Sequence, residues 1–329
     1  MTAAAAKSGS DKLRDSASSH PSIEQLILES HALRVTVLPS LGGKIGSIQI
    51  LPENEELLQQ PLRPYAPRTR YLNFDAGDAS GWDECLPSVA GCEVQTASGK
   101  VVVPDHGDFW QVPWVVDSQS GSEVTLSAEG FSLPLSFRKT LRLDDNRLRV
   151  SYSVCNRGSD SVEYLWSAHP GFAVEKGDLI VLPSSVTDVI VEGSGQNRLG
   201  QQGTQHTWPQ TTIPRQAIDL SIAGGAEDGI GDKLFTHSPA EGWCAIERKR
   251  LNRRVAFQFD PKQLPYLGLW LCYGGWPEHQ SVRQHCVALE PCTAQGDSLA
   301  TAMQEGRARR LSPQSEDNWT LELQVSGVS

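Results

Sequence analysis

Two phrases far apart in the chain carry residues able to move protons. In YLWSAHPGF, residues 164–172, a strand-like apolar run gives way to His169 and then a proline. In VALEPCTA, residues 287–294, another apolar run stops at Glu290, again followed by proline. An imidazole and a carboxylate are the side chains that most often serve as acid and base near neutral pH. At the ends of strands they would be held by a rigid sheet and still face a cleft.

Other phrases gather ionisable, aromatic and turn residues: PSLGGKI (39–45), GWDECLPS (81–88), PDHGDFW (104–110), DGIGDKLF (228–235) and LGLWLCYGGWPEH from 267. None has the i, i+4 histidine spacing of a helical metal site, and His106 and His169 are far apart. No G-x-S-x-G elbow and no P-loop occur. GSGQNRLG (193–200) lacks the strand–turn–helix context of a phosphate cradle. Tryptophans beside carboxylates and imidazoles remain, which is the composition of a sugar site. Indole faces pack against sugar C–H groups, and polar side chains bond the hydroxyls.

The elements that must position these groups read as strands. From Ile23 onward the pattern is β. In 132–158, Leu133, Leu135, Phe137, Leu141 and Leu143 alternate with polar residues. The pattern turns at Asp145-Asn146 and resumes with Leu148, Val150, Tyr152 and Val154. Period 2 on both arms predicts a long hairpin with one buried face. Further strands are expected at 25–29, 33–38, 45–51, 110–116, 123–128, 162–167, 179–182, 186–191, 244–247, 254–259, 268–272, 287–289 and 319–325. Short helices are expected at 53–59 and 298–305, and a long polar loop at 192–218. The fold class is all-β, a large antiparallel sandwich over 22–329 with a disordered tail at 1–21. The 20 prolines and 29 glycines suit its many turns.

A chain of 329 residues can bury a sizeable core without disulfide or metal staples. Its net charge of −10 argues against nucleic acid and anionic membranes as partners. No apolar run approaches a membrane span, and the start lacks the apolar stretch of a secretory signal. Seven scattered cysteines without a C-x-x-C pair suit a reducing compartment, so a cytoplasmic location is expected.

Taken in order, the phrases resemble the galactose mutarotase-like, or aldose 1-epimerase-like, superfamily over nearly the whole chain. The elements that carry the resemblance are Pro39 with Gly42-Gly43, then His106-Gly107, His169, the GLWLCYGG strand, and Leu289-Glu290-Pro291. The resemblance implies a β-supersandwich with a sugar cleft and cofactor-independent interconversion of sugar anomers. It also implies Glu290 as general base and His169 as general acid, with His106, Asp232 and Trp270 binding the sugar. Two phrases depart from the family. Its H-x-Y-F-N is His169-Pro170-Gly171-Phe172 here, and its N-R is replaced by Gly81-Trp82-Asp83-Glu84. That leaves Asp83 or Glu84 to form the wall where the family's arginine stands.

The partner expected is a small-molecule sugar, bound by a monomer or homodimer. Alternatives from the sequence are a non-catalytic carbohydrate-binding or sensing module, and an epimerase of hexose 6-phosphates. In the enzyme, Glu290 would take the proton of the C1 hydroxyl while His169 protonates the ring oxygen. By analogy with paired-acid sugar sites, their functional atoms should stand roughly 5–8 Å apart.

Overall fold

The computed structural model describes residues 23–213, 216–237 and 239–328. The tail expected at 1–21 lies outside these residues. Two antiparallel sheets face each other across one apolar core. The first has 11 strands. From one edge it runs Leu26–Glu29, Leu33–Leu38, Lys44–Ile50, Trp82–Cys85, Ser167–Ala173, His285–Cys292, Tyr266–Tyr273, Ile230–Thr236, Asp188–Ser194 and Gln205–Thr207, with Glu55–Glu56 attached to Lys44–Ile50. The second has eight strands, with the expected hairpin, Leu135–Asp144 and Arg147–Asn156, near its centre. The hairpin turns at Asp145, whose φ of 49° suits a two-residue connection.

Alternation decides which side chains enter the core. In the first sheet Trp82, Phe172, Leu269 and Leu289 point inward, and Trp82 and Phe172 pack on Phe257 of the second sheet. Their neighbours in sequence therefore face away from the core.

Several expected elements differ. Residues 110–114 are not a strand; the strand is Val115–Gln119, because Trp110 lies in a turn with its indole donating to the Asp105 carbonyl. Residues 53–59 hold a turn and the two-residue strand Glu55–Glu56, and no helix. The helix expected at 298–305 is Leu299–Gln304, capped by the Ser298 hydroxyl, which accepts from the Thr301 N–H at 3.3 Å. The polar stretch 192–218 is not one long loop. It contains Gln205–Thr207 and a hairpin of Gln210–Ile213 with Gln216–Asp219.

The segment expected as one strand at 162–167 splits into Val162–Tyr164 and Ser167–Ala173. His169 is therefore inside a strand, and Glu290 is likewise inside His285–Cys292. Pro170 is tolerated because pairing between these two strands lapses there. The ladder passes from Ser167 opposite Cys292 directly to Gly171 opposite Ala288. A residue without an N–H fits such a gap, and His169 and Glu290 face each other across it.

Candidate active site

Four adjacent strands of the first sheet supply the site. Residues on their outward faces include His169 on Ser167–Ala173, Glu290 on His285–Cys292, Trp270 on Tyr266–Tyr273 and Lys233 on Ile230–Thr236. Gly268 stands directly opposite Glu290. A Cβ there would meet the Glu290 Oε2 at 3.0 Å, so glycine leaves the space in which Lys233 reaches that oxygen.

A cavity of about 370 Å³ opens above this floor, near the small end of ordinary ligand pockets (~300–1,000 Å³). His169, Lys233 and Trp270 line it from the sheet; loops add Phe74, His106 and Trp276. Phe74 stacks on His106, with ring centroids 3.9 Å apart. His106 has a left-handed backbone, φ 58°, followed by Gly107 at φ 74°. A Cβ on Gly107 would strike the Leu86 carbonyl at 2.1 Å, so the HG turn can approach Leu86 this closely only with glycine. The Asp105 carboxylate fixes the ring of His106 through Nδ1 at 2.9 Å. Burial pushes Asp105 upward, but the His106 interactions and the Phe74 N–H more than offset this, and its pKa is lowered.

Glu290 is fully buried beneath the cavity. Its Oε2 accepts from Lys233 Nζ and, at 3.4 Å, from the Ser167 hydroxyl. Among the described residues its Oε1 has no hydrogen-bond donor, and it lies 3.7 Å from His169 Nε2. That separation is shorter than the 5–8 Å expected, because the two strands are immediate neighbours. A sugar ring therefore cannot sit between the two groups and must lie across them. Lys233 also pairs with Asp297 at 3.4 Å.

Burial pulls the His169 pKa well below the ordinary 6.5, and His106 and Lys233 push the same way. The lowered pKa favours the neutral ring at neutral pH, and not the proton-bearing form that the general acid implied by the resemblance would need. Because folding depresses this pKa, only the unfolded chain takes the proton just below pH 6.5. The associated stability is complete above that value and is lost as pH falls. Urea unfolding at about pH 7.5 and about pH 5.5 should show this loss, and His169→Gln should lessen it.

Three residues expected to bind sugar do not line the cavity. Asp232 points to the other side of its strand, where it accepts from Ser194 at 2.6 Å and from Arg198 Nε at 3.1 Å. The residue delivered to the cavity is the next one, Lys233. Asp83 is paired with Lys44 at 2.6 Å and Arg68 at 3.1 Å. These three and Asp78 make a buried cluster of two cations and two anions. Glu84 faces the core between the sheets. It accepts from Lys139 at 3.0 Å, Tyr152 at 3.1 Å and Trp166 at 3.1 Å. In a strand, consecutive side chains take opposite faces, so Asp83 and Glu84 could never share one wall.

No protein-family model and no curated protein matches the chain. Solved structures do. The Slr1438 protein from Synechocystis sp. superposes with a TM-score of 0.69 at 16% identity, over 93% of this chain and 96% of that one. For the galactose mutarotase related enzyme from Lactobacillus acidophilus the values are 0.65, 16%, 93% and 98%. For a galactose mutarotase-like protein from Lactobacillus casei they are 0.63, 16%, 92% and 100%. The fold is galactose mutarotase-like.

On this galactose mutarotase-like scaffold, sequence reasoning missed Phe74, Asp105, Lys233, Gln284 and Asp297. Lys233 was accessible by counting alternation from the core residue Leu234. Gln284 accepts from the Trp270 indole at 3.0 Å and donates to the Ala79 carbonyl at 2.9 Å, which orients that wall. Phe74 lies in an irregular loop and carries no periodic signal. Among the tryptophans, Trp276 lines the cavity and Trp82 is core. Trp110 is buried against the edge of Phe74. No helix among the described residues is long and apolar enough to cross a membrane.

Proposed function

We propose that the protein is an aldose 1-epimerase that interconverts the anomers of an uncharged sugar by acid/base opening of the ring at C1. The observation that carries this reading is the free Oε1 of Glu290. A buried carboxylate oxygen without a donor is costly unless something else uses it, and here it lies against His169 under an aromatic-walled cavity. Phe74, Trp270 and Trp276 give the cavity aromatic walls against which the C–H groups of a pyranose can pack, and His106 adds a polar group for its hydroxyls.

In this reading Glu290 Oε1 removes the proton from the C1 hydroxyl. The hydroxyl reaches that oxygen by displacing the His169 ring, which at 3.7 Å breaks no hydrogen bond. The C1–O5 bond opens, the aldehyde turns about C1–C2, and the ring recloses on the other face. His169, whose lowered pKa favours the neutral ring, binds the reacting end of the sugar.

Carboxylates in the lining favour a free over a phosphorylated substrate. Asp75, Asp105 and Asp297 line the cavity, and among the described residues no arginine does. A phosphate dianion would meet like charges there. Polarimetry and NMR should therefore detect faster anomerisation of at least one free aldose than of its 6-phosphate. If every free aldose anomerises only at the buffer rate while one binds tightly, the reading gives way to a binding module. Faster turnover of a 6-phosphate would overturn the assignment to an uncharged substrate.

A further inference from the structure

Ring opening needs a proton at O5 as well as a base at O1, and a neutral imidazole does not readily supply one. The cleft contains a different charged donor. Lys233 Nζ lies between Glu290 Oε2 and Asp297 Oδ1, and its side chain lines the cavity. An ammonium has three N–H donors. One is directed to Glu290 Oε2; Asp297 Oδ1 stands 3.4 Å away as an ion-pair neighbour without a hydrogen bond, and among the described residues the remaining donors have no hydrogen-bond acceptor.

We propose that Lys233 is the proton donor to the ring oxygen, acting with Glu290 as one acid/base pair. This assignment rests on the mutarotase reading of the same site. As Glu290 Oε1 accepts the O1 proton, the O1 electron pair forms the aldehyde C=O. The C1–O5 bonding pair passes to O5, and O5 takes a proton from Lys233. The ion pair becomes a neutral acid and a neutral amine, and reclosure reverses every transfer. No oxidant, metal or outside proton is consumed.

Local electrostatics favour this coupling. Around the ammonium stand the carboxylates of Glu290 and Asp297, the thiols of Cys85 and Cys292, and the ring of His169. Both thiols are pushed upward by burial, so they stay neutral. Burial pulls the Lys233 pKa down, but Asp297 and Glu290 outweigh it and raise the value. The resting lysine is therefore charged. Once Glu290 is protonated, one of the two anions holding that proton is gone, and the lysine becomes a stronger acid at the moment O5 needs the proton. Collapse of a buried ion pair to a neutral pair also removes two charges from a poorly solvated place.

Two measurements test the assignment. The first uses the wild type and follows the anomerisation rate against pH, with the buffer rate subtracted. A Lys233–Glu290 pair gives a rate that is level from about pH 6.5 to about pH 8, since the raised pKa of Lys233 keeps the donor charged there. An imidazolium donor with a pKa below 6.5 gives a rate that falls about tenfold per pH unit over that interval. The second uses Lys233→Arg, which keeps the cation beside both carboxylates but cannot release its proton. Its turnover should fall by roughly 10²–10⁴-fold, with sugar binding retained.

His169→Gln should act mainly on KM. A falling wild-type profile that His169→Gln abolishes, or a Lys233→Arg variant within about threefold of wild type, overturns the assignment. If Lys233→Arg does not fold, the wild-type profile alone decides. Absence of any wild-type turnover would instead remove the mutarotase reading on which it rests.

Discussion

Replacing Glu290 by glutamine is expected to lower turnover for anomer interconversion by roughly 10²–10⁴-fold, with little change in KM. Glutamine has the shape of the carboxylate, and its oxygen can still accept from Lys233 and Ser167, the partners of Oε2. Lys233 keeps Asp297 as a counter-ion, so the fold should survive. What is lost is proton acceptance at the oxygen that no donor occupies. Polarimetry on the best aldose, with sugar affinity measured in parallel, separates the two effects. A glutamine variant with full activity would remove Glu290 from the mechanism. Because the two groups are proposed to act as a unit, the double variant with Lys233→Arg should be far from additive.

Replacing Glu84 by alanine is expected to be among the most destabilising single changes, by about 3–5 kcal/mol. The side chain is fully buried between the sheets, and its three donors are Lys139, Tyr152 and Trp166. Lys139 and Tyr152 are paired across the central hairpin of the second sheet. Glu84 therefore ties that sheet to the first, and its removal leaves a buried ammonium with no counter-ion. Burial pushes the Glu84 pKa upward, and Lys139 and the two other donors act against it. The charge on Lys139 makes the damage specific. Glu84→Met with Lys139→Met should recover most of the loss, because apolar side chains of similar volume replace both charges. Equilibrium urea unfolding of the two single variants and the double variant measures this. If the double variant is no better than Glu84→Ala, the cost lies in packing and not in the orphaned charge.

The positions of Asp83 and Glu84 also show what kind of information each level holds. Both are acidic and both sit in the phrase where the family's arginine would fall, so by residue type either could line a sugar cleft. Period 2 puts one on each face of the strand, but the chain order alone does not say which face is core. That is decided by Trp82 and Glu84 packing toward the second sheet, whose strands lie far away in sequence. The choice between Asp232 and Lys233 is the same problem. Each is plausible by type, and the pairing of Lys233 with Trp270 across two strands places the lysine in the cavity.

Local pattern was enough for other features. The alternation of 132–158 specified a hairpin, and its turn falls at Asp145. His106, His169 and Trp270 were chosen from phrases, and all three line one cavity. Glu290 lies directly below it.

The type of fold and the chemical character of the site were thus determined by the sequence itself. Side-chain alternation is a local property, and the histidines, the glutamate and the tryptophans stand in recognisable short phrases. The state of the site was decided only by the tertiary structure. Whether His169 is charged depends on burial and on His106 and Lys233, which other segments bring to it. Whether Glu290 has a free oxygen depends on a lysine 57 positions away that crosses over Gly268. Desolvation and Coulomb interaction act through space, so they become defined only when the strands are side by side.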